Sequence, residues 1–141
     1  MLSCCPRRGL VKRRGVAAIE LAILLPFMAF VFVIGVDYAR IFYYSLTVTN
    51  CARAGARYGS DPQLAARSPY SSIAQAAQAE APNLSPAPGV SSTTGTDGSG
   101  NPYVEVTVTY PFQTVTNFPG VPNQTTLTRT VRMDIAAITP R

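Results

Sequence analysis

Residues 16–36 form a run of 21 in which every member is apolar, glycine or proline except Glu20. As a helix this run is roughly 31 Å long, the thickness of a bilayer's hydrocarbon core. A backbone in lipid must satisfy its own polar groups, so a single spanning helix is the conformation open to it. A secretory signal peptide is the rival reading, but its apolar region is only about 7–15 residues and ends at a small-residue cleavage site. Asp37-Tyr38-Ala39-Arg40 after the run has no such site, so a retained anchor is expected.

Orientation follows from charge. Arg7, Arg8, Lys12, Arg13 and Arg14 precede the run with no acid among them, whereas only Arg40 and Arg53 lie within about 20 residues after it. The positive-inside bias places the N-terminus in the cytoplasm, with Lys12, Arg13 and Arg14 as the topology signal, and the rest of the chain outside it. The net charge of +5 is local: from Val16 onward seven Arg balance seven Asp or Glu. Nucleic-acid binding is not expected, because it needs basic residues spread over a folded face.

Pro26 removes one hydrogen bond inside the span and should kink the helix there. Beyond the span, Ile41, Tyr44, Val48, Cys51, Gly55 and Tyr58 recur at spacings of 3 and 4, one narrow helical stripe. The helix should therefore continue through 37–60 as a stem. The stripe fits a stem lying on its own domain, the favoured reading, or one packing on other subunits. Gly59-Ser60-Asp61-Pro62 should end it, and a second, alanine-rich helix should follow with Ser68 as N-cap and Pro69 in its first turn.

From Asn83 the pattern turns to β. A short strand is expected at 90–93, then a glycine-rich hairpin loop at 94–101. Val104, Val106, Val108 and Tyr110 alternate with polar residues, a half-buried strand that Pro111-Phe112 should break. After a long connection, 125–138 reads as the last strand, with Leu127, Val131, Met133 and Ile135 on its apolar face and Arg129 at the sheet rim. The fold class is α+β: a long N-terminal transmembrane helix extends into a stem that packs on a small antiparallel sheet. The divisions are a basic leader at 1–15, the span at 16–36, the stem at 37–60 and a small extracytoplasmic domain at 61–141.

Catalytic patterns do not emerge. With no His in the chain, the commonest general base is missing and nothing of that kind activates the serines. Gly95, Gly98 and Gly100 lack the strand-to-helix setting of a phosphate loop. Cys4, Cys5 and Cys51 have neither metal-ligand nor disulfide-framework spacing, and Cys51 reads as a small packing residue. The acids at 37, 61, 80, 97, 105 and 134 are scattered over caps, turns and solvent faces. No enzyme, metal or cofactor is expected.

Glu20 stands apart. It lies four residues past Val16, roughly 6 Å into the helix, where its carboxylate can snorkel to the cytoplasmic headgroups. The alternative requires a cut after Gly15. Val16 would then carry a positive α-amine, and Glu20 of one subunit would pair with the amine of a neighbour, setting register between helices in low dielectric. The whole junction favours this second reading.

Arg14-Gly15-Val16-Ala17-Ala18-Ile19-Glu20-Leu21-Ala22 with Leu24-Leu25-Pro26 resembles the N-terminus of the TadE-like family. Asp37-Tyr38-Ala39-Arg40, then Ala52-Arg53-Ala54-Gly55-Ala56-Arg57-Tyr58-Gly59, and the strand from Val106 to Phe112, are also similar to it. The resemblance implies a bacterial inner-membrane component of the tight-adherence (Flp) pilus machinery, a pseudopilin cut by a prepilin peptidase and partnered by other pilin or pseudopilin subunits. Carried over, Gly15 and Val16 flank the cleavage site and Glu20 is the assembly carboxylate. Leu21 replaces the Tyr typical of the major Flp pilin, and the outer domain is larger than that pilin needs, so the resemblance implies a minor subunit. The alternative is an uncleaved, single-pass anchored binding module of the cell envelope.

Overall fold

In a computed structural model, residues 14–115 and 123–136 are described. Lys12 and Arg13, the connection at 116–122 and the end of the expected last strand at 137–138 lie outside them, as does the side chain of Arg14. The chain divides into two units, Met1–Val36 and Asp37–Arg141.

One helix, α1 (Arg14–Ser60), runs through the division, so the helical stem expected after the span is present. The first unit holds its apolar part, where Pro26 sits inside the helix without ending it. Side chains from Val16 to Val36 are almost all exposed, among them Ile23 at 71% and Phe32 at 72%. A helix apolar on every side is a helix for a non-aqueous medium. Its length and composition suffice to cross a membrane.

The second unit is α+β. After α1 come two short helices, α2 (Pro62–Arg67) and α3 (Ile73–Gln78), then three strands, β1 (Gly89–Thr96), β2 (Pro102–Gln113) and β3 (Gln124–Asp134). The strands form an antiparallel meander in the order β1-β2-β3. In β2 every second side chain, Val104, Val106, Val108, Tyr110 and Phe112, is buried. They meet Val48, Cys51, Ala52 and Ala56 of the stem, Ala77 of α3, and Ala81 and Leu84. The stem stripe is thus covered by its own domain. Tyr44 and Ile41 pack at its lower end and Ile73, Val131 and Met133 elsewhere around the core.

Three local expectations are corrected. The segment 61–62 ends α1 but also starts a helix: Asp61 caps α2 by accepting from the amides of Gln63 (2.9 Å) and Leu64 (3.1 Å), with Pro62 in the first turn. The second long helix does not start at Ser68, which instead closes α2; the N-cap of α3 is Ser72, accepting from the Gln75 amide. The Gln75 side-chain oxygen accepts from the amide and hydroxyl of Ser71, which holds the turn just before this cap. Pro111-Phe112 does not break β2. The register of β1 stops at Gly89↔Thr109, so Pro111 lies beyond its end, at an open edge where its missing N–H deprives no partner. Phe112 is then a core residue, 1% exposed.

The hairpin between β1 and β2 is shorter than expected, because β1 extends to Thr96. Asp97 organises it, accepting from the amides of Asn101 (2.8 Å) and Ser99 (2.9 Å). The Asn101 amide, above all, holds the Asp97 carboxyl below its ordinary value of 3.8. A lowered pKa in the fold means that this contribution is complete above that value and is lost as pH falls through the lowered one.

Stem and sheet approach closely because Gly55 has no side chain. A Cβ there would meet Ala77 Cβ at 3.1 Å, Val106 Cγ1 at 3.2 Å and Ile73 Cγ2 at 3.3 Å. Three neighbours on two elements cannot all yield at once. Gly55→Ala gains about 1 kcal/mol of helix propensity and meets an overpacking cost of about 1–3 kcal/mol. The expected net result is a destabilisation on the order of 1 kcal/mol, read as a lower denaturant midpoint of the second unit. An unchanged or raised midpoint would show that the interface has slack.

Candidate functional site

In the first unit the singled-out residues share one helix. Glu20, Ile23, Leu24 and Phe27 line one shallow groove on its surface, the i, i+3, i+4, i+7 face. Val16 stands one turn before Glu20 and is 60% exposed. A side chain added at Gly15 would meet no atom within 4 Å, and the same holds at Gly35. Packing among the described residues therefore explains neither the glycine at 15 nor the carboxylate at 20.

The second unit contains a polar cluster that sequence reasoning missed. Asp37, placed above among scattered acids, is 7% exposed. Its Oδ1 accepts from the Val115 amide at 3.0 Å and pairs with Arg40 Nη1 at 3.3 Å. The Arg40 guanidinium lies 5.3 Å from the Phe112 ring centroid and 5.9 Å from that of Tyr44. Tyr44 stacks on Tyr110 at 5.5 Å and tilts against Phe112 at 5.4 Å. The Tyr110 hydroxyl donates to the Ser85 carbonyl, and desolvation raises its pKa above the ordinary 10.0. This box fastens the end of β2 to the first turns of the stem. The i, i+3 spacing of Asp37 and Arg40 was the available signal; it needs the partner amide from Val115, 78 residues on, to become a site.

Arg129 lies exposed on edge strand β3, as expected of a rim residue. It reaches the stem rather than an acid: its Nη2 donates to Ser45 Oγ at 2.6 Å. Cys51 is buried and free, a packing residue as read from the sequence. Burial, helped by nearby Glu80, pushes its thiol pKa above 9.0.

A cleft of about 510 Å³ opens between the stem and the short helices. Arg53, Arg57 and Tyr58 line one side, Tyr70 and Glu80 the other, with Met133 in between. The Tyr58 hydroxyl donates across to the Tyr70 carbonyl at 2.9 Å. Among the described residues no group of His, Cys, Asp and Glu is arranged to hold a metal.

Residues 15–57 match the family model described as TadE-like protein, the family whose N-terminal motifs this sequence resembles. The matched segment runs from Gly15 through the stem, past Asp37 and Arg40 to Arg57. No curated protein and no solved structure gave a match.

Two results should follow in the second unit. Asp37→Leu leaves the Val115 amide and Arg40 without their acceptor and should cost about 1–3 kcal/mol, seen as faster hydrogen exchange at Val115; unchanged exchange would mean that the amide is held otherwise. Cys51 should resist alkylation in the native protein across neutral pH, reacting only on unfolding, since burial disfavours the thiolate.

Proposed function

We propose that this protein is a minor, pilin-like (pseudopilin) component of a tight-adherence pilus system. It is anchored in the bacterial inner membrane with its N-terminus in the cytoplasm, and assists assembly or secretion. The observation that carries this reading is the family match over residues 15–57, which covers the spanning helix and the stem. A pilus-associated component with a membrane-spanning N-terminal helix is what that match and the apolar α1 support.

The finer mechanism is helix assembly in the membrane. A prepilin peptidase cuts after Gly15, removing Lys12, Arg13 and Arg14 with the leader. Val16 then presents an ammonium, and Glu20 of one subunit pairs with it on the next. Two features of the first unit support this. Among the described residues nothing packs against Gly15, so the described fold makes no demand for glycine there. Glu20 sits in an apolar groove with Ile23, Leu24 and Phe27, where a carboxylate is costly unless a cation meets it. Pro26 supplies a bend point two turns further along, which neighbouring subunits can accommodate. Other pilin or pseudopilin subunits are the partners.

The second reading, an uncleaved anchored binding module, is favoured by the cleft lined by Arg53, Arg57, Tyr58 and Tyr70. Mass spectrometry of the N-terminus, on protein from a host with an active prepilin peptidase, separates the two. A chain beginning at Val16 is expected; one that keeps Arg13 and Arg14 sinks processing and leaves the binding module.

The companion variant is Glu20→Ala. It should insert into the membrane as well as the unmodified protein, because a charge is removed from the span, yet lose piliation. Normal piliation would mean that Glu20 merely snorkels to the headgroups.

A further inference from the structure

We propose that the end of the outer domain bearing Asp37 and Val115 is a lipid-contact surface, seated in the headgroup layer through Tyr38, Phe42, Tyr43 and Val115. The inference rests on the reading of residues 16–36 as a membrane span, and not on the pilus assignment.

The domain's exposed apolar surface is unevenly placed. From residue 37 onward six large apolar or aromatic side chains are exposed among the described residues: Tyr38, Phe42, Tyr43, Leu46, Tyr70 and Val115. Four of them fall within the first ten residues of the stem. The fifth, Val115, comes from the end of β2, yet its amide is hydrogen-bonded to Asp37 at 3.0 Å. That bond brings a distant part of the chain to the residue that directly follows the span. Tyr70 alone lies elsewhere; its carbonyl meets Tyr58, which is 21 residues, or roughly 31 Å, along the helix from Asp37.

Depth selects which of these meet lipid. The headgroup layer adds about 5–7 Å beyond the hydrocarbon on each side. Tyr38 is two residues past the end of the span and Phe42 is six, hence roughly 3 and 9 Å further out. Tyr38 thus lies within the layer, and because helical side chains lean toward the helix N-terminus, the rings of Phe42 and Tyr43 reach back to its outer edge, where aromatic side chains are enriched. Leu46, at roughly 15 Å, stays above it. The occupant is lipid rather than a second subunit, because headgroups surround residue 37 whether or not a subunit arrives. The Asp37–Arg40 pair fits this depth: the buried carboxylate is neutralised locally by a half-buried guanidinium and also accepts from the Val115 amide. Val115 offers the layer an apolar side chain 69% exposed, with its own amide already satisfied.

The chain contains no Trp, so single Trp substitutions report their own surroundings. Full-length protein carrying Val115→Trp, Phe42→Trp, Tyr70→Trp or Phe27→Trp would be reconstituted in phosphatidylcholine vesicles containing lipids nitroxide-labelled near the headgroup or deep in the acyl chain. The expected result is blue-shifted emission from Val115→Trp and Phe42→Trp, quenched more by the shallow label than by the deep one. Tyr70→Trp should remain solvent-like and unquenched, and Phe27→Trp should respond most to the deep label. If Phe27→Trp is quenched as expected while Val115→Trp and Phe42→Trp behave like Tyr70→Trp, the span stands and the lipid contact is overturned. Blue-shifted emission from Val115→Trp that no labelled lipid quenches would also overturn it, since protein would then cover the face. Absence of quenching from Phe27→Trp would remove the span itself and the proposal with it.

Discussion

The second unit depends on the close approach of the stem to the central strand. Gly55, with Cys51, Ala52 and Ala56, presents a face with almost no side-chain height, and Val104, Val106 and Val108 of β2 fill the space. Small residues on the helix and β-branched residues on the strand are complementary in shape as well as in polarity. Only with that contact in place does the meander acquire a covered face, since three strands alone hold little core. The short helices are secondary: α3 contributes Ala76 and Ala77, and is tied toward β1 by the Gln78 side chain bonding the Pro88 carbonyl at 3.0 Å.

The same helix carries two patterns of polarity. In residues 16–36 its side chains are apolar on all sides and exposed, which suits lipid. From Asp37 onward one stripe is apolar and the rest polar, which suits a helix lying on a domain in water. The change of pattern is marked chemically at Asp37, where a buried carboxylate meets Arg40 and the Val115 amide. A family match that runs from Gly15 to Arg57 covers both regimes, in keeping with one continuous element carrying anchor and stem.

Much of this was legible residue by residue. The i, i+3, i+4 recurrence of Val48, Cys51 and Gly55 announced the buried stem face, and the alternation through Val104, Val106 and Val108 announced β2. Both are periodicities of a single element and need no knowledge of its partners. The misreadings share one cause. Pro111, Ser68 and Asp61-Pro62 are punctuation, whose effect depends on neighbours. Pro111 is harmless because β1 has already ended at Gly89, and Ser68 closes α2 while Ser72, accepting from the Gln75 amide, opens α3. Asp37 was overlooked because its main partner lies at Val115, far along the chain.

The sequence by itself determined the long apolar helix, the stem and the alternating strands, because each follows from hydrophobic period within a short window. The tertiary structure alone decided the strand order, the tolerance of Pro111, the burial of Phe112 and the joining of Asp37, Arg40 and Val115. These depend on which edges are covered and which amides lack partners, and such pairings across 78 residues leave no local trace in the chain.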